Sequence, residues 1–156
     1  MTEYKMDRNY ALEIFNPLYE HIYDCEYQED DNASADIIDN IIELIMKERL
    51  IVEQDENNNY VLTFKLKNHC KIGGNIKEEL KLVEPTGDDL AKMKSLKEEG
   101  ANIFEQGMDI LKACSSAADH LLIRQMKAGD LRVAYPIAML LAAFLTKDIS
   151  KKPSKE

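Results

Sequence analysis

Apolar residues recur along this chain with two different periods, and the changes of period mark out its elements. Between residues 8 and 23, Tyr10, Ile14, Leu18 and Ile22 fall at steps of four, which puts them on one face of a helix. Pro17 lies inside that stretch. A proline removes one helical hydrogen bond and crowds the preceding turn, so the pattern predicts two short pieces or a kink. The cluster Glu29-Asp30-Asp31-Asn32 reads as a loop. Residues 34–48 carry the clearest helical pattern. Ser34 can cap its start by accepting a backbone N–H bond. Ile37, Ile38, Ile41, Ile42 and Ile45 form a wide apolar stripe, and Asp36, Asp39, Asn40, Glu43 and Lys47 fall on the opposite face.

After the polar turn Asp55 to Asn59 the period drops to two. Tyr60, Leu62, Phe64 and Leu66 alternate with Thr63, Lys65 and Lys67, as in a half-buried strand. Gly73-Gly74-Asn75 is a turn signal. Ile76, Leu80 and Leu82 alternate with Lys77, Glu79 and Lys81, so a second strand is expected to pair with the first as an antiparallel hairpin. Pro85 cannot donate to a sheet ladder and stops that strand. Thr86 and Asp89 then stand at capping-box spacing, opening a helix with Leu90, Met93 and Leu96 on one face.

Gly100 breaks the pattern, and a helix from about 101 to 114 carries Ile103, Phe104, Met108 and Leu111. Ser116 and Asp119 read as a further cap ahead of a short helix with Leu121, Leu122 and Met126. Gly129 is expected to end it, and Asp130 to cap a last helix through Leu145. The fold class is α+β: mostly α-helical, with two acidic N-terminal helices, one antiparallel β-hairpin and a C-terminal helical bundle. Residues 1–55 read as an acidic helical extension, 56–148 as the hairpin and helical core, and 149–156 as a disordered tail, all within one folded unit.

The 156 residues are 45% hydrophobic and 31% charged, which excludes wholesale disorder and fibrous classes. The net charge is −9. It is unevenly spread, with −12 on residues 1–60 and +3 on residues 61–156. An acidic chain is a poor grip for nucleic-acid phosphates, so no nucleic-acid partner is expected. The longest apolar run, Val133 to Leu145, contains Pro136 and is too short for a membrane span of about 20 residues. Its apolar residues exceed what one bundle face covers, which suggests a partner-binding or oligomer surface.

Little in the sequence suggests catalysis. Three widely spaced cysteines, at 25, 70 and 114, form no disulfide framework, and a reducing cytoplasm is the simple reading. His21 and Cys25 share a helix face and His69 adjoins Cys70, but neither pair supplies the ligand set of a zinc site. No P-loop, dinucleotide fingerprint or nucleophile elbow occurs, so no catalytic residue, metal or cofactor is assigned. The stretch from Ala35 to Phe64, with Leu50-Ile51-Val52 after the Ile-rich helix, has the outline of a winged-helix regulator. The exposed face of that helix is acidic where a DNA reader needs Lys and Arg.

The order of features over residues 60–145 resembles the tail assembly chaperones of long-tailed bacteriophages. A strand (Val61-Leu62-Thr63-Phe64), a Gly turn and a second strand run into Leu82-Val83-Glu84-Pro85-Thr86-Gly87-Asp88-Asp89-Leu90. A strand entering an E-P-T-x-x-D-L corner and then a helix is that family's most recognisable passage. Small helices and an apolar C-terminal helix follow. Val83 stands where family members often carry Arg, and the helices at 8–48 are an addition to the usual pattern. Here the corner residues Glu84, Pro85, Thr86 and Asp89 read as a structural joint.

The resemblance implies a non-enzymatic protein of the host cytoplasm that is absent from the finished virion. Such a protein binds the tape measure protein while tail tube protein polymerises around it, with no cofactor and no membrane. Homo-oligomerisation stays open. So does a longer frameshifted form, at which Lys151-Lys152 hints. By helix-in-groove recognition the contact is expected on Ile137, Leu140, Leu141, Phe144 and Leu145, with Phe104 and Met108 opposite. A regulator of a mobile element and a small structural tail protein remain the alternatives.

Overall fold

The computed structural model describes residues 3–28, 35–93 and 103–144. Among them are six α-helices and a three-stranded antiparallel sheet, an α+β fold that is mostly helical. In chain order these are α1 (Arg8–Tyr23), α2 (Ala35–Met46), β1 (Leu50–Gln54), β2 (Tyr60–Ile72), β3 (Asn75–Val83), α3 (Gly87–Ala91), α4 (Ile103–Ala113), α5 (His120–Gln125) and α6 (Ala128–Leu141). The expected cap Ser34, the expected helical residue Leu96, the break at Gly100, and residues 145–156 lie outside the described residues.

Helix α1 is continuous through Pro17. Asp7 caps its start by accepting the Tyr10 backbone N–H at 2.8 Å. The buried face is turned from the expected one. Ala11, Phe15, Leu18 and Tyr19 are buried, whereas Tyr10 is 55% exposed. The aromatic side chains decide this orientation. Phe15, Tyr19 and Tyr23 follow one another at steps of four, with the Tyr19 and Tyr23 rings stacked at 4.4 Å. The Tyr23 hydroxyl donates to the Leu140 carbonyl at 2.7 Å, tying α1 to the end of α6. In α2 the expected stripe is the buried one, through Ile38, Ile41, Ile42 and Ile45. Arg8 bridges α1 to Asp39 on α2 at 2.8 Å.

The single hairpin expected becomes a three-stranded sheet. Leu50-Ile51-Val52, the strand of the winged outline, opens β1, which pairs with the first half of β2 from Leu50↔Phe64 to Gln54↔Tyr60. The boundary drawn at residue 55 therefore runs through the β1–β2 hairpin, and one core cluster joins Ala11 of α1 to Ala142 beyond α6. On the sheet's inner face Leu50, Leu62, Phe64, Leu66, Leu80 and Leu82 are buried, as alternation requires. Ile76 breaks that pattern and is 64% exposed, because it lies beyond the bulge near the hairpin tip. The tip itself is as expected: Gly73 and Gly74 both have positive φ, which a two-residue hairpin loop demands.

The pairing of β2 with β3 is interrupted between Lys65 and Cys70. Asp130 fills the interruption. Its carboxylate, 1% exposed, accepts the backbone N–H of Lys67 at 3.0 Å and of Asn68 at 2.9 Å. The same group takes Arg49 Nη2 at 2.7 Å, and Arg49 Nε donates to the Lys65 carbonyl. Asp130 is thus no helix cap, and Gly129 ends no helix. Both lie in the first turn of α6, where a carboxylate also suits the helix dipole. The expected Ser116 cap is likewise absent as a backbone bond; its hydroxyl turns to the Asp119 carboxylate at 3.4 Å.

Two predictions come from these joints. Asp130→Ala leaves two backbone donors and one guanidinium without their acceptor, so it should cost about 3 kcal/mol in urea unfolding. Hydrogen exchange at the Lys67 and Asn68 amides should accelerate with it. Glu48 ends α2 at φ +56, where its neighbours make the bonds of a Schellman cap, Glu48 N–H to Ile45 O and Arg49 N–H to Leu44 O. A residue with a Cβ is strained there, so Glu48→Gly should raise stability by about 0.5–1 kcal/mol.

Candidate functional site

The corner after β3 is built by local hydrogen bonding. Thr86 Oγ1 accepts the Asp89 backbone N–H at 3.1 Å, and Asp89 Oδ2 accepts the Thr86 backbone N–H at 2.9 Å. This reciprocal capping box starts α3 as the sequence predicts. The Thr86 backbone and hydroxyl bonds hold the Asp89 carboxyl below the usual carboxylate range. Before the corner, the Val83 N–H donates to the Cys114 carbonyl at 2.7 Å, so the end of β3 meets the end of α4. Glu84 Oε1 accepts from His21 Nε2 at 3.1 Å, and the His21 ring tilts over Tyr60 at 5.2 Å. The corner is therefore anchored on α1, α4 and β2.

Beside it, α3 and α4 line an open cleft of about 370 Å³. Asp89, Lys92 and Met93 form one wall, and Asp109, Lys112 and Ala113 the other. His120 closes one end, its Nε2–H donating to the Lys112 carbonyl at 3.0 Å. Met93 is buried at the base. Carboxylates and ammonium groups line it together with Met93 and Ala113, a lining suited to an amphipathic segment. Leu121, next to His120, is 50% exposed. Its neighbours Leu122 and Ile123 are buried, so α5 leaves one of its three consecutive apolar residues on the surface.

The residues expected to carry the partner contact do not form one surface. Ile137, Leu140 and Leu141 are at most 1% exposed and belong to the core. Met108 is half-buried against that core. Phe144 follows α6 and is 43% exposed. Leu145 and the Phe104 side chain lie outside the described residues. The apolar surplus of α6 is consumed because the helix is covered on more than one side. It packs on α4, α2 and β2. At Gly107 of α4 a Cβ would stand 2.3 Å from the Tyr135 ring, so that ring of α6 packs directly on the α4 backbone.

The metal candidates are also dispersed. His21 bonds Glu84, Cys25 is exposed, and Cys70 is buried with Sγ 3.5 Å from the Gln125 carbonyl. Burial pushes the Cys114 thiol up to about 12. Among the described residues no three His, Cys, Asp or Glu side chains converge on a metal position. The solvent face of α2 carries Asp36, Asn40 and Glu43. No described helix is long and apolar enough to cross a membrane.

The Asp89 bond is a group whose folded pKa is depressed. Its contribution is present above the ordinary carboxylate range and is lost as pH falls through the lowered value. In an NMR titration Asp89 should protonate below a model aspartate, and Thr86→Ala should move it back up.

Compared with known proteins, the chain matches no protein-family model, no curated protein and no solved structure.

Proposed function

We propose that this chain is a non-enzymatic assembly chaperone of the phage-tail kind, which holds a tape measure protein in the host cytoplasm during tail assembly and leaves before the virion is complete. The observation that carries this reading is the passage from β3 through Glu84-Pro85-Thr86 into a helix closed by Thr86 and Asp89, followed by small helices and an apolar last helix. It is the order of elements in which the sequence resembles that family.

The mechanism is helix-in-groove recognition, and the cleft between α3 and α4 is the groove. An amphipathic client helix lays its apolar stripe over Met93 and Ala113, and the exposed Leu121 on α5 is a further apolar contact for it. Its charged flanks meet Asp89, Asp109, Lys92 and Lys112. The acidic α1–α2 side keeps the loaded complex apart from its copies by repulsion. Tail tube protein is a further partner in this reading, and no nucleic acid is required.

The test is affinity capture of the tagged chain from phage-producing cells, with partners identified by mass spectrometry. Capture of the tape measure protein in stoichiometric amount is the expected result. Leu121→Asp should reduce it at least tenfold while circular dichroism and the melting temperature stay as in the parent. Phe144→Asp tests the other exposed apolar position in the same way. Leu141→Asp is uninformative, because that side chain is core. Unchanged capture by Leu121→Asp and Phe144→Asp moves the groove elsewhere. Recovery of the chain in purified particles favours a structural tail protein instead.

A further inference from the structure

Charge on this molecule is sorted to the two ends of one strand. Strand β2 is 13 residues long, so its ends stand roughly 40 Å apart. At the Tyr60 end lie the β1–β2 loop with Glu53, Asp55 and Glu56, and Glu84 after β3. The His21–Glu84 and His21–Tyr60 contacts bring the last turn of α1 to the same end, with Glu20, Asp24 and Glu26 exposed beyond it. None of the segments 20–27, 53–59 and 84–89 contains Lys or Arg.

At the Ile72 end the composition is reversed. Residues 65–77 contain no Asp or Glu and present Lys67, Lys71 and Lys77, all exposed. The Cys70–Gln125 contact and the Asp130 bonds to Lys67 and Asn68 seat α5 and the start of α6 beside this tip. They add Arg124 and Lys127, both exposed. Ile76, 64% exposed, gives the tip an apolar contact point. Glu78 and Glu79 follow Lys77 on β3 and, with Asp119, line a cleft shared with Ile76 and Lys77, so these carboxylates offset part of the positive charge of the tip. The ion pairs among the described residues, Arg8–Asp39, His21–Glu84, Lys47–Glu43 and Arg49–Asp130, involve none of the tip lysines.

We infer that the basic β2–β3 tip docks on the acidic Tyr60 end of a second copy of this chain. The two surfaces are opposite in sign and about five Debye lengths apart at physiological salt, so they cannot neutralise each other within one molecule. A second copy offers each surface its complement, and charge complementarity of this kind sets orientation and encounter rate. The contact joins two different patches, so it is heterologous and builds an open chain or a ring. It does not rest on the chaperone reading.

The test is sedimentation velocity with two charge-reversed variants. At about 0.1 mM protein in about 0.1 M salt the weight-average mass should be about twice the monomer, falling toward monomer near 0.5 M salt as screening shortens. Lys67→Glu/Lys71→Glu/Lys77→Glu has two acidic ends and should stay monomeric. Glu26→Lys/Glu53→Lys/Glu56→Lys has a basic tip and a reversed acidic end, and should stay monomeric too. Mixing the two variants should restore association, which misfolding of either would prevent. A monomeric wild type in low salt, variants that associate as the wild type does, or a mixture that stays monomeric would overturn the inference. So would a gel shift of a short DNA duplex by the wild type that the lysine variant loses, which reassigns the tip to nucleic acid.

Discussion

The fold depends on a carboxylate buried where the sheet stops being regular. The ladder of strand β2 with β3 breaks between Lys65 and Cys70. A break leaves backbone donors without a strand partner at a part-buried position, and such donors are costly unless something accepts from them. Asp130 accepts two of them and also the guanidinium of Arg49. One side chain thereby joins α6, β2 and the link between α2 and β1. Arg49 completes the joint by lying over the Phe64 ring at 5.0 Å and bonding the Lys65 carbonyl. The charge is tolerated in the core because every contact it makes comes from a donor.

Features set by neighbours in sequence were the legible ones. The stripe of α2, the inner face of β2, the Gly73-Gly74 tip and the Thr86–Asp89 capping box are all encoded within a few residues of themselves. What could not be read was set across the chain. The orientation of α1 follows from Phe15, Tyr19 and Tyr23 meeting one another and Leu140. The role of Asp130 needs partners 62 and 81 positions away. Read locally, an Asp beside a Gly before an apolar run looks like a helix cap, and the local rule loses here to a long-range vacancy in the sheet.

The candidate site was legible to the same extent. The corner was placed correctly because its bonds are local. The burial of Ile137, Leu140 and Leu141 was not legible, because apolarity on all sides of α6 fits burial as well as it fits binding. Several elements cover that helix, and Gly107 lets α4 come close enough to complete the cover. Exposed apolar side chains lie instead at Leu121 on the short α5 and at Phe144, past the end of α6, which stops before the Leu145 that the sequence suggested.

The two ends of the sheet are closed by different means, and that difference shapes the surface. At the Ile72 end the polar clamp is internal: Asp130 is spent on backbone donors and Arg49. At the Tyr60 end the clamp is external. Glu84 reaches only His21, at 43% exposure for each side chain, and the surrounding carboxylates stay in solvent. Burying the acid that sits beside Lys67 removes one carboxylate from the exposed charge of the tip. The interaction that holds the core together therefore also bears on the surface charge, and a partner drawn to the Ile72 end is reading in part a consequence of how the bulge in β2 was filled.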